Sequence, residues 1–158
     1  MRRIIAIALI LPMLVCGCAK AQPPPEPITD RVVAKVTVVL SSDEEYHISI
    51  EKDTDGVARY AFSFPDAVKG LEYSYVGDEC TVSFNGLSIS LANSPNGIVD
   101  RLHSVLCNNT PLTYDKDSGS FIASADNFSY RIFTLSDGNL SIIRITDPEY
   151  CYYFNYDP

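Results

Sequence analysis

The 158-residue chain carries five cysteines and two histidines, the side chains best suited to nucleophilic attack, metal ligation or covalent modification. Their spacing divides them. Cys16 and Cys18 stand near the N terminus, directly behind an apolar run, while Cys80 and Cys151 fall in segments of strand-like alternation. Cys107 follows His103 by four positions, which makes the two neighbours on a helix face. Such a pair supports thiolate chemistry when a third group orients the imidazole, and no third group is recognisable around this one. His47 and His103 both fall on polar faces, where solvent exposure is expected. Asp53-Thr54-Asp55-Gly56 and Asp115-Lys116-Asp117 are rich in carboxylates, but the calcium loop needs glutamate at position 12, and counting from Asp53 that position is Phe64. Aspartate and glycine are also what hairpin turns select. No Gly-x-Ser-x-Gly elbow, paired-histidine motif or phosphate loop occurs. The expectation is a protein that is not an enzyme and has no metal or cofactor.

Cys18 offers chemistry of another kind. Arg2 and Arg3 precede an uninterrupted apolar run over residues 4–15, and Gly17 stands directly before Cys18. A short apolar run behind positive charge is the make-up of a secretory signal. With Pro12 inside it, the run falls short of the ~20 apolar residues that cross a bilayer. Val15-Cys16-Gly17-Cys18 looks like a bacterial lipobox: an aliphatic residue, two small ones, then the cysteine that takes lipid. Cys16 cannot fill that role, because bulky Val15 would then precede the cut. Residues 1–17 are thus expected to be a lipoprotein signal peptide, and residues 18–30 the lipidated cysteine with a proline-rich tether. Such a tether favours an extended, solvated backbone at ~3.1 Å per residue. Acyl chains on Cys18, at ~0.8 kcal/mol per buried CH₂, would hold it durably to a membrane. The expected location is the outer face of the cytoplasmic membrane in a single-membrane cell, or the outer membrane in a cell with two.

Residues 31–158 remain, enough for one domain with a real core. The formal charge of −8 becomes −10 without Arg2 and Arg3, so nucleic acid and anionic lipid surfaces would repel it. Besides Cys18 the mature chain keeps Cys80, Cys107 and Cys151, an odd number that cannot all pair internally.

What must position these residues is mostly β-structure. From residue 31 the apolar positions alternate with period two, broken at short intervals by turn residues. Val32, Ala34, Val36, Val38 and Leu40 share a face; so do Tyr46, Ile48 and Ile50, then Ala58, Tyr60, Phe62 and Phe64. Cys80, Val82 and Phe84 lead into Asn85-Gly86, the strongest short hairpin signal, and Leu87, Ile89 and Leu91 continue the apolar face beyond it. The period then changes. Ser94-Pro95 suits a helix start, and Ile98, Val99, Leu102, Val105 and Leu106 form a single stripe with Asp100, Arg101, His103, Ser104 and Cys107 around the rest. Asn108-Asn109 and Pro111 end it. Strands resume at Leu112 and run to Tyr156. About ten strands joined by short turns predict an antiparallel meander, mainly β with one helix (α+β). A curved sheet wrapped partly around its helix is the economical way to bury both apolar faces.

Residues 64–92 and the helix around Leu102 resemble small lipoproteins of anaerobic Gram-positive bacteria, similar in turn to the lipoprotein-carrier superfamily (LolA/LppX-like). The likeness rests on the Pro-x-x-x-x-Gly-Leu phrase from Pro65 to Leu71, the Gly77 hairpin, the Asn-Gly-Leu turn and the strand–helix–strand order. It covers most of residues 33–154. The resemblance implies a half-open β-barrel with the helix over its concave face, and through that fold a cavity for lipid or another apolar ligand, with no catalytic residues to carry over. Phe62, Phe84, Ile89, Leu102 and Leu106 are the expected lining. Two functions stay open: a membrane-anchored, non-catalytic binder or carrier of an apolar ligand, and a structural or protein-interaction lipoprotein whose concavity is filled by its own side chains. The surplus tyrosines, including Tyr73, Tyr75, Tyr150 and Tyr152, fit strand composition or a ligand surface.

Overall fold

The computed structural model describes residues 24–91, 97–125, 128–146 and 149–156. The expected signal peptide, Cys18, the first part of the tether and the Ser94-Pro95 helix start lie outside the described residues.

Among the described residues, eleven strands form one antiparallel sheet. The first six are β1 (Val32–Leu40), β2 (Glu45–Lys52), β3 (Val57–Phe64), β4 (Glu72–Val76), β5 (Glu79–Phe84) and β6 (Leu87–Leu91). Helix α1 (Ile98–Cys107) follows, then β7 (Thr113–Asp115), β8 (Ser120–Ala125), β9 (Phe128–Thr134), β10 (Leu140–Thr146) and β11 (Glu149–Asn155). The alternation places Val32, Ala34, Val36 and Val38 inside on β1 and leaves Val33 exposed. Asn85 and Gly86 both take positive φ, at 51° and 80°, as a type I′ turn requires.

The strand order is β6-β5-β4-β3-β2-β1-β11-β10-β9-β8-β7. Two meanders therefore run outward from the middle, where β1 pairs with β11, from Lys35 opposite Asn155 to Leu40 opposite Tyr150. The helix joins strands at opposite edges of the sheet, β6 and β7. Its contacts show how far the sheet curves. The His103 ring stacks on Tyr75 of β4, and the Asn108 amide donates to the Ser124 carbonyl of β8. These strands stand seven steps apart, ~34 Å across a flat sheet, while five helical residues rise only ~7.5 Å. The sheet must wrap around the helix to reach it from both sides. Register shifts at His47/Ile48 and Leu140/Ile142 lie one in each half, and such bulges bend the strand that carries them. The sheet does not close, since β6 and β7 do not pair with each other.

Val99, Leu102, Val105 and Leu106 face the sheet and are buried, as the stripe predicts, while Ser104 is only partly covered. Gly97 caps the start without a side-chain hydrogen bond, and Asn108 takes the extended conformation that ends the helix. Truncating a buried leucine typically costs 2–5 kcal/mol through lost transfer energy and a cavity. Leu102→Ala should therefore lower the unfolding free energy by about that amount, and Ser104→Ala by under ~0.5 kcal/mol. Urea denaturation of the two variants checks this; equal losses would mean that α1 turns a different face to the sheet.

Candidate functional site

Three tyrosines, Tyr60 on β3, Tyr130 on β9 and Tyr152 on β11, are among the largest fully buried side chains. A buried phenol hydroxyl needs a partner, and the helix segment supplies one to each. Tyr152 Oη donates to the Ile98 carbonyl at 2.9 Å. Tyr60 Oη lies 2.9 Å from His103 Nδ1. Asn108 Nδ2 donates to Tyr130 Oη at 2.9 Å. The start, middle and end of α1 are each fixed by one tyrosine. Sequence reading places Tyr60 on an apolar strand face, counts Tyr152 among the surplus tyrosines and does not single out Tyr130; a hydroxyl on a face that must be buried is the signal that finds all three.

His103 is the centre of the densest chemical cluster. It was expected in solvent, and the structure corrects this: the ring stacks on Tyr75 with centroids 3.8 Å apart and meets Tyr60 edge-on at 5.8 Å. At 100° per residue, position 103 lies only ~40° beyond Val99 on the helical wheel, so a long side chain there still reaches the sheet. Arg101 flanks the opposite side of the stripe, and its guanidinium lies 4.5 Å from the Phe128 ring centre on β9. Burial pushes the His103 imidazole down to about 4; Asp100 opposes that and the Lys52 charge adds to it.

Cys107 Sγ lies 3.8 Å from Nδ1 and 3.7 Å from Nε2 of His103. A sulfur equidistant from both ring nitrogens is aligned with neither lone pair. Burial raises the Cys107 thiol, with Lys52 acting the other way. A thiolate–imidazolium pair needs a low thiol pKa and a high imidazole pKa, and both groups are moved in the opposite sense. The resting pair is a neutral thiol beside a neutral imidazole. Cys80, Cys107 and Cys151 are all free.

Lys52 continues the inward phase of β2 and is buried. Its Nζ donates to the carbonyls of Thr29 at 2.9 Å and Asp30 at 3.2 Å. The Ile28 amide donates to the Gly138 carbonyl at 3.0 Å. A Cβ at Gly138 would come within 3.1 Å of the Glu26 carbonyl oxygen. The last residues of the expected tether are therefore fastened to the domain, which shortens the free spacer from the residues 18–30 read in the sequence.

The five expected lining residues do not come together. Leu102 is 0%, Leu106 2% and Phe62 7% exposed, all inside the core. Phe84 at 37% and Ile89 at 63% instead lie open on β5 and β6, beside Leu87 at 75%. The alternation named the correct face of these strands, because Cys80 in the same phase is buried. A ten-residue helix, ~15 Å long, does not reach the end of an eleven-stranded sheet. Among the described residues, shallow hollows of about 230 and 240 Å³ open elsewhere: one among Lys35, Thr37, His47 and Ser63, the other beside Leu40, Asp43 and Tyr153. Neither is lined by a residue of α1. The described residues hold no group of three or more metal-ligating side chains. The Asp53–Gly56 segment is a turn closed by Gly56 N–H to the Asp53 carbonyl. Asp115 accepts from Ser118 Oγ at 2.7 Å and Arg131 Nη1 at 2.9 Å; the Ser118 and Arg131 hydrogen bonds hold its carboxyl down to about 2.

No protein-family model matches this chain, and no curated protein or solved structure matches it.

The displaced His103 value has a stability consequence. Unfolded, the ring takes a proton near its usual 6.5; folded, it resists until about 4. Between these values the unfolded state binds more protons, so this contribution to stability is full above ~6.5 and is lost as pH falls toward 4. The loss is on the order of 2 kcal/mol after discounting for the ring's partial exposure. His103→Gln should flatten the dependence of the urea midpoint on pH between 6.5 and 4.5 relative to the parent. Parallel slopes would show that the ring titrates as an ordinary exposed histidine.

Proposed function

We propose that the protein is a membrane-anchored bacterial surface lipoprotein, held by lipid on Cys18, whose domain is a non-catalytic interaction module. Its sheet is a half-open barrel, as the resemblance to the lipoprotein carriers implies, with the concavity filled by α1 and the residues that meet it. The observation that carries the choice between filled and hollow is Leu102, at the middle of the helix stripe, with no exposed surface. A side chain bordering a void wide enough for water would retain accessible area. An acyl chain under the helix would have to displace α1 and break its three tyrosine hydrogen bonds. The neutral Cys107–His103 pair supports the non-catalytic part of the reading, and the fastened residues 26–30 suit a domain carried on a short leash.

Two measurements test it. In a bacterial host fed a clickable palmitate analogue, the parent chain and Cys16→Ala should take label in the membrane fraction, while Cys18→Ala should take none. Persisting label on Cys18→Ala would remove the anchor. Titration of the domain with a fluorescent fatty acid should give no saturable binding. Stoichiometric binding that Leu102→Phe abolishes would restore the carrier reading.

A further inference from the structure

The edges of the sheet are managed differently. At one edge β7 is only three residues long, and its Asp115 is tied to Ser118 and Arg131. Short, charged edges resist further pairing. The other edge is β6, five residues with no charge and no proline, Leu-Ser-Ile-Ser-Leu. Residues 80–99 hold no Asp, Glu, Lys or Arg at all, in a chain where 20% of residues are charged. On the helix side of β6, Leu87 and Ile89 are exposed. On the other side Ser88 and Ser90 extend cross-strand hydroxyl pairs with Ser83 at 2.8 Å and Thr81 at 3.4 Å.

We infer that β6 is a self-pairing edge whose partner is β6 of a second copy of this chain, antiparallel and centred on Ile89. The strand reads the same in both directions. A two-fold axis through Ile89 therefore sets Leu87 against Leu91 of the partner, Ser88 against Ser90, and Ile89 against itself, with apolar side chains on one face and hydroxyls on the other. An isologous interface requires such self-complementarity. Pairing satisfies the outward backbone groups of β6 and covers Ile89 and Leu87. Charge selects the same edge: two copies at a net −8, or −10 without Arg2 and Arg3, repel one another, least where an uncharged segment meets its like. The inference gives the interaction reading a partner. It rests on that reading for its purpose and on β6 alone for its geometry.

Cysteine cross-linking of the full-length chain in intact cells, with a membrane-permeant oxidant, tests the register. Directly opposed residues of an antiparallel pair have Cα atoms ~4.5–5.5 Å apart, within disulfide range. Ile89→Cys should give a band of twice the chain mass at least tenfold above the parent background. Leu87→Cys alone and Leu91→Cys alone should not, since like positions lie four residues out of register, but the two variants co-expressed should. Ile89→Lys should abolish dimer in sedimentation of the detergent-solubilised chain, and raised salt should strengthen dimer in the parent by screening the repulsion. Ile89→Cys at the parent background, equal cross-linking by Leu87→Cys alone, or capture of a protein of another mass would each overturn the inference. Because cross-linking does not depend on lipid at Cys18, its failure is distinct from failure of the anchor.

Discussion

A tyrosine hydroxyl taken out of water must find a partner, and in this domain that requirement fixes the position of the helix. Tyr60, Tyr130 and Tyr152 come from three strands in both halves of the sheet, and each carries an apolar ring into the core with one polar atom at its tip. The only α-helix among the described residues supplies the partners at Ile98, His103 and Asn108. Leaving such a group unpaired costs about 1–3 kcal/mol, so sliding or rotating α1 would lose several partners together. Apolar packing alone is tolerant of small rotations. Three hydroxyls with distinct targets are not, and the helix is held in one setting as a result.

The helix in turn holds together a sheet assembled from distant sequence. β1 and β11, the first and last strands, are neighbours at its centre, whereas every other pair of neighbours is consecutive in sequence. Until β11 arrives, the two meanders share no strand pair. His103 and Arg101 flank the buried stripe on opposite sides, and each reaches an aromatic ring in a different half. The helix thus bridges the same two halves that β1 and β11 join, from the concave side.

Much of this was legible in the sequence because it is local. Period two gave the inward face of β1, period 3.6 gave the Val99, Leu102, Val105 and Leu106 stripe, and Asn85-Gly86 gave its hairpin. What periodicity assigns is which residues share a face. It does not say what covers that face, which is why periodicity groups Phe84 and Ile89 with Leu102 although they lie in the open. His103 departs from expectation for a related reason: a wheel marks position 103 as polar, but a ring ~40° from a buried stripe still reaches the core. The β1–β11 pairing joins residues more than a hundred positions apart and leaves no local trace. Lys52 lies in phase with Ile48 and Ile50 and goes unread in the sequence, because its partners, the carbonyls of Thr29 and Asp30, carry no side-chain signal.

The route by which the chain enters the domain determines how it bears a load. Tension on the segment ahead of residue 26 would meet the Gly138 and Lys52 fastenings first and then run along β1. That strand lies between β2 and β11, bonded on both sides. Hydrogen bonds of an antiparallel ladder lie across the strand, so a pull along β1 strains two ladders in shear, many bonds at once. The same force applied at β6 would peel an edge strand one bond at a time. Any load that enters through the N-terminal segment is thereby taken up by the part of the sheet that yields last.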